Sequence, residues 1–294
     1  METTHQQKTK YILAGGISGV ISAIIVCPLD VVKVRLQNQT TIPSPGTFET
    51  LLKIARQEGY KGLFSGLNPT ILSYLLDRSI WFTCYENLKL IQIKLFKFEK
   101  SSPLLHSSSA LFSSLVCTGA LTPLWVIRTR MMTQNTQPGY FYKSIRHGLV
   151  DIIRKEGVVS LYKGLLPSLV GITHPLIQFP VYESLKINIS KYENSYDFND
   201  ARPKVSDQGI FVASILSKFV ATLITYPHEV VRTRMQTQLQ TRNDGQYKGV
   251  VETSRLVFNE GVKGWYRGLT TNLIRTIPAT SVSMYVYEIL VSTE

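Results

Sequence analysis

Three stretches of this chain share one pattern: PLDVVKVR at 28–35, PLWVIRTR at 123–130 and PHEVVRTR at 227–234. Each begins with a proline, and the first and third carry an acidic residue two positions later and a basic residue three positions after that. The prolines are 95 and 104 residues apart, so the chain repeats with a period of about one hundred residues. This period predicts three repeats, over residues 1–100, 101–200 and 201–294.

Two further elements recur in the same order within each repeat. The first is a Glu-Gly pair followed by a glycine eight positions after the glutamate: EGYKGLFSG at 58–66, EGVVSLYKG at 156–164 and EGVKGWYRG at 260–268. The second is a Tyr-Glu pair near the end of the repeat: YENLK at 85–89, YESLK at 182–186 and YEILV at 287–291. Chance agreement of three spaced elements in three copies is negligible, so the repeat organises the whole chain.

Each repeat contains two long apolar stretches separated by a polar segment. They cover residues 11–29, 67–85, 103–127, 165–182, 208–228 and 269–287. Most have about the length that a helix needs to cross ~30 Å of hydrocarbon. Residues 11–29 and 165–182 carry no charged side chain, and the latter stretch lacks one residue relative to its two counterparts. The pattern favours an all-α membrane protein over a buried soluble all-α domain.

The composition indicates an anionic partner. Only 18% of the residues are charged, yet 32 Lys and Arg against 20 Asp and Glu give a net charge of +12. Nucleic acid, an anionic membrane surface and an anionic small substrate would each fit that excess. The basic residues recur at the ends of elements and do not form one surface run, which argues against nucleic acid.

Cysteine usage and the N-terminal residues exclude several other classes. Cys27, Cys84 and Cys117 lie in apolar stretches without a CxxC pair, so neither a disulfide framework nor a metal site is expected. No nucleophile, metal cluster or acid–base pair suggests an enzyme or a cofactor. Residues 1–10 contain no arginine and no apolar core, so we expect any targeting signal to be internal.

Taken together, the motifs resemble the signature of the mitochondrial carrier family over essentially the whole chain. The resemblance implies six transmembrane helices in three tandem two-helix repeats, with pseudo-threefold symmetry around a central cavity. It implies short amphipathic matrix-side helices near 47–57, 142–154 and 248–259. It also implies a monomeric, multi-pass transporter of the inner mitochondrial membrane that works by alternating access among lipids such as cardiolipin.

The resemblance assigns the charges of the proline stretches to a gate on the matrix side. The family's cyclic order pairs an acid of one repeat with a base of another, as Asp30–Arg128 and Glu229–Lys33. The third base, Arg232, faces Trp125 where the family has an acid, so two ion pairs are expected instead of three. Four positions after each base the family has a glutamine brace, matched by Gln37 and Gln236 but replaced by Met132 in the second repeat.

The Tyr-Glu elements correspond to a second gate on the cytoplasmic side. Glu86 can pair with Lys186, and Glu288 with Lys89, while Glu183 faces Val291. The family's tyrosine braces correspond to Tyr85, Tyr182 and Tyr287. Charges inside a membrane bundle are costly and usually functional, although static contacts between helices would also explain them.

The resemblance places the substrate contacts seven residues after the glycine of each even helix, at Ser73, Gly171 and Arg275. Arg275 is the only charge in residues 269–287, and arginine can bind a phosphate or carboxylate with two parallel hydrogen bonds. Gly171 and Ile172 match the apolar ledge that the family's nucleotide carriers offer to a base. Symmetric positions at mid-depth are where transporters place their substrate.

Further polar residues fall near these contact positions. Asp77 and Arg78 lie one turn beyond Ser73, and Arg78 with Lys218 and Arg275 would give a cavity with three cations. Alternatively, Asp77 and Arg78 form an internal ion pair that holds the helix. His174 and Gln178 could bind a base or ribose, or could instead satisfy the backbone beside Pro175.

The tryptophan at position 125, in the second proline stretch, resembles the subgroup of carriers for NAD⁺, pyrimidine nucleotides, FAD or folate, which have tryptophan there. The segments 171–183 and 226–229 look most like NAD⁺ carriers, whereas DRSIWF at 77–82 looks more like pyrimidine nucleotide carriers. The expected function is therefore NAD⁺ import by exchange with adenine nucleotides, with a pyrimidine nucleotide carrier and then a FAD or folate carrier as alternatives. A proton-leak uncoupler would not need the ledge together with Arg275.

Overall fold

A computed structural model describes residues 2–40, 45–96, 102–136, 141–193, 205–238 and 249–292. These segments are helical apart from short turns, which confirms the predicted all-α class. The longer helices are α1 (Glu2–Asn38), α3 (Leu67–Phe96), α4 (Pro103–Thr133), α7 (His174–Tyr192), α8 (Asp207–Thr237) and α11 (Leu269–Ser292). The shorter helices are α2 (Thr47–Leu63), α5 (Ile145–Glu156), α6 (Leu165–Val170), α9 (Val250–Asn259) and α10 (Val262–Trp265). Helices α2, α5 and α9 coincide with the three short helices expected from the sequence.

Within the described residues, four helical segments are long and apolar enough to cross a membrane: Gly15–Asn38, Leu104–Thr133, Val158–Tyr192 and Gln208–Thr237. Helices α3 and α11 have 30 and 24 residues, enough length to span the same thickness. Large apolar side chains such as Ile25, Phe112 and Phe211 are at least half exposed on the protein surface. Lipid contact explains such faces, which a soluble monomer rarely presents in this number.

The long helices close into a ring around a central space. Helix α1 packs against both α3 and α11, α3 packs against α4, and α7 packs against α8. The ends of α1, α4 and α8 that carry the proline stretches also contact one another. The ring therefore narrows at the end where the three repeated motifs meet.

The second long helix of the middle repeat is interrupted. Helix α6 is followed by a 3₁₀ turn over Gly171–Thr173, and α7 begins at His174. Pro175 has no N–H to donate, which weakens the α-helical pattern here. A 3₁₀ turn rises about 2.0 Å per residue against about 1.5 Å in an α-helix. Over three residues the extra rise is about 1.5 Å, which compensates for the one residue that this stretch lacks.

A buried arginine clamps each repeat to its neighbour. The last arginine of each proline stretch binds both oxygens of the Glu-Gly glutamate in its own repeat. The three pairs are Arg35–Glu58, Arg130–Glu156 and Arg234–Glu260. Each arginine Nε also donates to a main-chain carbonyl of another repeat, at Met132 (2.9 Å), Gln236 (3.0 Å) and Gln37 (3.0 Å) respectively. These clamps explain why the motif needs a second base and a glutamate.

The environment of Glu58 shows the electrostatic strength of one clamp. Burial alone raises the pKa of this carboxyl, but hydrogen bonds from Arg35 and Asn135 outweigh burial and hold the pKa below its usual value. Glu58 therefore stays ionised at neutral pH, and its ion pair with Arg35 is lost only under acidic conditions.

The glycine that ends each second motif allows close contact between repeats. Gly164 has φ +80°, and a Cβ there would lie 2.9 Å from Gln236 Cγ and 3.1 Å from the Arg232 carbonyl oxygen. Gly66 (φ +81°) and Gly268 (φ +76°) are also in the positive-φ region, and a Cβ on either would have a neighbour within 3.1 Å. Only glycine adopts this backbone conformation without strain in so tight a space.

Replacing Gly164 by alanine should destabilise the folded protein by about 2 kcal/mol, because backbone strain and a steric clash coincide. The measurement is the thermal unfolding midpoint of the purified protein in detergent. Gly119 in α4 is the matched control, because no atom lies within 4 Å of its Cβ position and its φ is not positive. Equal midpoints for the two alanine variants would show that the contact at Gly164 is not tight.

Candidate functional site

The narrow end of the ring is closed by ion pairs between repeats. Lys33 Nζ lies 2.6 Å from Glu229 Oε2, which joins α1 to α8. Arg128 Nη2 lies 2.7 Å from Asp30 Oδ2, which joins α4 to α1. Both pairs are those expected from the cyclic order of the motifs. We call this closed end, with its third contact described next, the floor.

The third contact of the floor is a cation–π interaction. The guanidinium carbon of Arg232 lies 4.4 Å from the ring centroid of Trp125. In the described part of the chain, no carboxylate lies within ion-pairing distance of Arg232. Such a stack contributes roughly 0.5–2 kcal/mol, so it adds a third contact to the two ion pairs that were expected. An aromatic residue at the acid position, facing an arginine, was the sequence signal for this contact.

The brace residues lie just beyond the floor. The Gln37 side chain accepts a hydrogen bond from Thr233 (2.8 Å) and donates one to the Tyr226 hydroxyl (3.0 Å). Gln236 accepts a hydrogen bond from Thr129 (2.8 Å). Met132 instead packs into an apolar cluster with Val31, Leu36 and their neighbours. At the position of the brace residues, the contact between the first two repeats is therefore apolar, whereas the other two contacts between repeats are polar.

At the opposite end of the ring, one of the two expected ion pairs can be followed in the described side chains, Glu86–Lys186, and it is not formed. Glu86 and Glu183 are exposed, and Lys186 approaches Glu183 of its own helix at 3.7 Å instead of pairing with Glu86. The side chains of Tyr287, Glu288 and Val291 lie outside the described residues, so the partner of Lys89 is not placed. Because α1, α4 and α8 meet at the floor, we interpret this conformation as closed there and open at the other end.

The tyrosines of this open end contact neighbours within the ring. Tyr85 shares a hydrogen bond of 2.7 Å with His106 Nδ1 of α4 and stacks on Trp81. Lys89 lies over the Tyr85 ring, and Lys186 lies over the Tyr182 ring. Each of these lysines is thus held near the tyrosine of its own helix.

A central cavity of about 790 Å³ lies above the floor. Five of the predicted substrate residues line it: Gly171, Ile172, His174, Lys218 and Arg275. Ser73 and Asp77 line a separate side cavity of about 240 Å³, which also contains Trp125, Arg128 and Arg232. Arg78 is exposed, and neither Arg78 nor Gln178 is among the residues that line these two cavities.

The charges of the central cavity differ from the three cations that the sequence suggested, because Lys218 and Arg275 line it and Arg78 does not. Arg275 forms an ion pair with Asp30, and its Nε donates to Asn272 Oδ1 at 3.0 Å. Asp30 therefore bridges Arg275 and Arg128. Lys218 forms no hydrogen bond or ion pair with a described residue. The sequence could not show how one acid would be shared by bases from two other repeats.

The ledge residues have a neighbour that the sequence analysis did not include. A Cβ on Gly171 would lie 3.0 Å from His228 Nε2, so the imidazole packs directly against this glycine. His228 also lines the central cavity. His174 Nδ1 lies 2.9 Å from Thr225 Oγ1, which satisfies one ring nitrogen while the ring still faces the cavity. The sequence signal for His228 was its position between Pro227 and Glu229 in the third proline stretch.

Asp77 does not form the internal ion pair with Arg78 that was an alternative for these residues. Its carboxylate instead accepts a hydrogen bond from the Cys117 thiol of α4, with Sγ 3.2 Å from Oδ1. In the described side chains, no carboxylate lies within ion-pairing distance of Arg78. Asp77 therefore contributes a negative charge to the side cavity, next to Ser73.

Comparison with known proteins follows the same division into repeats. A family model described as mitochondrial carrier protein matches residues 4–95, 99–193 and 206–293. The mitochondrial nicotinamide adenine dinucleotide transporter 2 of Arabidopsis thaliana is 39% identical, over 94% of this chain and 77% of the relative. The mitochondrial nicotinamide adenine dinucleotide transporter 1 of Saccharomyces cerevisiae is 36% identical, over 94% and 74%. Human solute carrier family 25 member 33 is 33% identical, over 99% and 98%.

Proposed function

Because this chain belongs to the mitochondrial carrier family, we propose that it transports NAD⁺ by alternating access through the central cavity. Family membership makes the chain a multi-pass transporter of the inner mitochondrial membrane and not an enzyme. The observation that carries the choice of substrate is the cavity above the floor, where cationic side chains face an apolar ledge. Relatives named as nicotinamide adenine dinucleotide transporters support the same choice.

The size and chemistry of the cavity suit a dinucleotide. Its volume of about 790 Å³ falls within the range of about 300–1,000 Å³ that is typical of small-molecule and cofactor sites. Lys218 and Arg275 supply positive charge for the two phosphates. Gly171 and Ile172, with the flat ring of His228, offer a surface for a base. His174 also lines the cavity, where its ring can contact a base or ribose.

In this proposal, substrate binding weakens the floor. A phosphate that binds Arg275 competes with Asp30 for the guanidinium, and Asp30 is then held by Arg128 alone. Opening the floor also requires breaking Lys33–Glu229 and the stack of Arg232 on Trp125. Formation of Glu86–Lys186 and Glu288–Lys89 at the other end would compensate for the lost contacts, so that one end is closed at a time.

The direction, counter-substrate and surroundings belong to the same proposal. We place NAD⁺ import in exchange for adenine nucleotides, because both fit a site for bases and phosphates. One chain provides all three repeats around the cavity, which supports a monomer as the working unit. Cardiolipin is the proposed lipid partner, since its phosphates complement the excess of basic residues.

Pyrimidine nucleotides are the second candidate substrate. The segment DRSIWF at 77–82 favours them, because it looks more like pyrimidine nucleotide carriers than like NAD⁺ carriers. In the structure, Asp77 of this segment lines the side cavity and not the central one. A ligand confined to the central cavity would therefore not contact Asp77, and this favours NAD⁺ over a pyrimidine nucleotide.

Ligand-induced stabilisation of the purified protein tests the choice of substrate. NAD⁺, UTP, FAD and tetrahydrofolate are added at equal concentrations, and the thermal unfolding midpoint is measured in detergent. A ligand that binds only the folded protein raises the midpoint according to its affinity. We expect the largest rise with NAD⁺. A larger rise with UTP would replace NAD⁺ by a pyrimidine nucleotide, and a larger rise with FAD or tetrahydrofolate would support the third alternative.

A further inference from the structure

Arg232 lies where three cavities meet. It lines the central cavity of about 790 Å³, the side cavity of about 240 Å³ and a third cavity of about 180 Å³ within the floor. Trp125 and Tyr74 are shared by the same three cavities. Arg232 is thus accessible to a ligand from the central cavity although it belongs to the floor.

The floor contains two more cations than carboxylates among its described residues. Its cations are Lys33, Arg128, Arg232 and Arg275, and its carboxylates are Asp30 and Glu229. Lys33 pairs with Glu229, while Arg128 and Arg275 share Asp30. Arg232 is left with the Trp125 ring, and the buried Nε of Arg128 has no described hydrogen-bond partner.

A cation–π contact does not neutralise the guanidinium of Arg232. Stacking occupies the flat face of the group, whereas its N–H donors lie along the edge and stay free to bind an anion. Replacing the family's acid by Trp125 therefore keeps Arg232 in place and leaves its charge available. A carboxylate at position 125 would both hold the arginine and use up its hydrogen-bond donors.

We propose that Arg232 binds a phosphate of the substrate at the floor of the central cavity, in place of the carboxylate that Trp125 replaces. This inference rests on the proposed transport of a nucleotide and assigns Arg232 a binding role besides its role in closing the floor. The diphosphate of a dinucleotide carries one negative charge on each of its phosphates, which together match the surplus of cations at the floor. Trp125 acts as a positioning residue that orients the guanidinium.

The same contact links binding to opening of the floor. In the empty protein the Trp125 ring is the partner of Arg232. A phosphate that binds the edge of the guanidinium replaces the ring as that partner. Arg232 can then leave the ring without becoming an uncompensated charge, which would be costly in a water-poor site. Arg232 is thus a binding site for an anion as well as one of the contacts that close the floor.

Two substitutions at position 125 separate this proposal from a purely structural role. Trp125→Asp places a carboxylate next to Arg232, and Trp125→Leu removes the ring without adding a charge. The affinity of the purified protein for NAD⁺ and for inorganic pyrophosphate is measured by titration calorimetry. If Arg232 binds phosphate, we expect Trp125→Asp to weaken both affinities at least tenfold, and more than Trp125→Leu does.

If Arg232 only closes the floor and does not bind phosphate, the affinities of the two variants at position 125 have the opposite order. The carboxylate would then strengthen the closed floor, and the affinity of Trp125→Asp would equal or exceed that of the original protein, while Trp125→Leu would be weaker. That order would overturn the proposal.

A second variant keeps the test independent of whether Trp125→Asp folds. Arg232→Gln should weaken pyrophosphate binding at least tenfold, with the exposed Arg255→Gln on α9 as the charge-matched control. Equal affinities for the two glutamine variants would overturn the binding role of Arg232.

The calorimetry also distinguishes this proposal from the choice of NAD⁺. If the original protein binds UTP but not NAD⁺, the substrate is corrected and the variants are compared with UTP. If it binds neither nucleotides nor pyrophosphate, both proposals are wrong.

Discussion

Replacing Arg275 by alanine should reduce NAD⁺ uptake into liposomes about 100-fold or more while the protein remains folded. A hydrogen bond to a charged group contributes about 1.5–3 kcal/mol, and arginine can form two with one phosphate. About 1.4 kcal/mol corresponds to a factor of ten in affinity. Arg275 lines the central cavity, and Arg275 and Arg128 share Asp30 as their carboxylate partner.

Arg275→Lys is the matched variant, because it keeps the charge but loses the two parallel donors. We expect about tenfold lower uptake for this lysine variant, between the original protein and Arg275→Ala. The unfolding midpoint without ligand serves as the control for folding, since Asp30 keeps Arg128 as a partner. Uptake by Arg275→Ala within twofold of the original protein would remove Arg275 from the substrate site.

Replacing Arg130 by alanine should destabilise the folded protein by about 3 kcal/mol, because the buried Glu156 loses its bidentate partner and keeps Lys163, at 3.3 Å. The Arg130 side chain is fully buried and binds Glu156 through both terminal nitrogens. It also donates to the main-chain carbonyls of Gln236 (3.0 Å) and Gln238 (2.9 Å) in the third repeat. Its loss therefore affects the contact between repeats as well as the ion pair.

The unfolding midpoint in detergent measures this effect, and a drop of about 10 °C corresponds to the expected loss. Lys155→Ala is the control, because Lys155 forms an exposed ion pair with Asp151 four residues earlier and should leave the midpoint unchanged. Similar midpoints for Arg130→Ala and Lys155→Ala would show that the clamp does not hold the repeats together.

The sequence was sufficient to predict the helical architecture and the order of the floor contacts. The period of about one hundred residues and the six apolar stretches set the long helices. In the first and third motifs the acid and the base, three residues apart, share one helix face. The cyclic order of the family that the motifs resemble implied the pairs Asp30–Arg128 and Glu229–Lys33, whose members lie about one hundred or two hundred residues apart.

The sequence could not predict contacts that depend on side-chain reach between repeats. Arg275 was expected as one of three cavity cations because it is the only charge in residues 269–287, and the sequence did not show that Asp30 reaches it from α1. Ser73 was expected in the central cavity by symmetry, but its hydroxyl faces the carbonyl of Pro69 at 2.6 Å, within the wall of the side cavity. The spacing of residues along a helix predicts which of them share a face. Which cavity that face lines depends on the neighbouring helices.

The central claim is that this chain carries NAD⁺ across a membrane through one cavity that opens at alternate ends. Uptake of labelled NAD⁺ by liposomes containing the purified protein tests it most directly. The claim predicts saturable uptake that is stimulated by adenine nucleotide or NAD⁺ inside the liposomes and inhibited by unlabelled NAD⁺ outside. Absence of NAD⁺ uptake in liposomes where the same protein takes up a different nucleotide would contradict it.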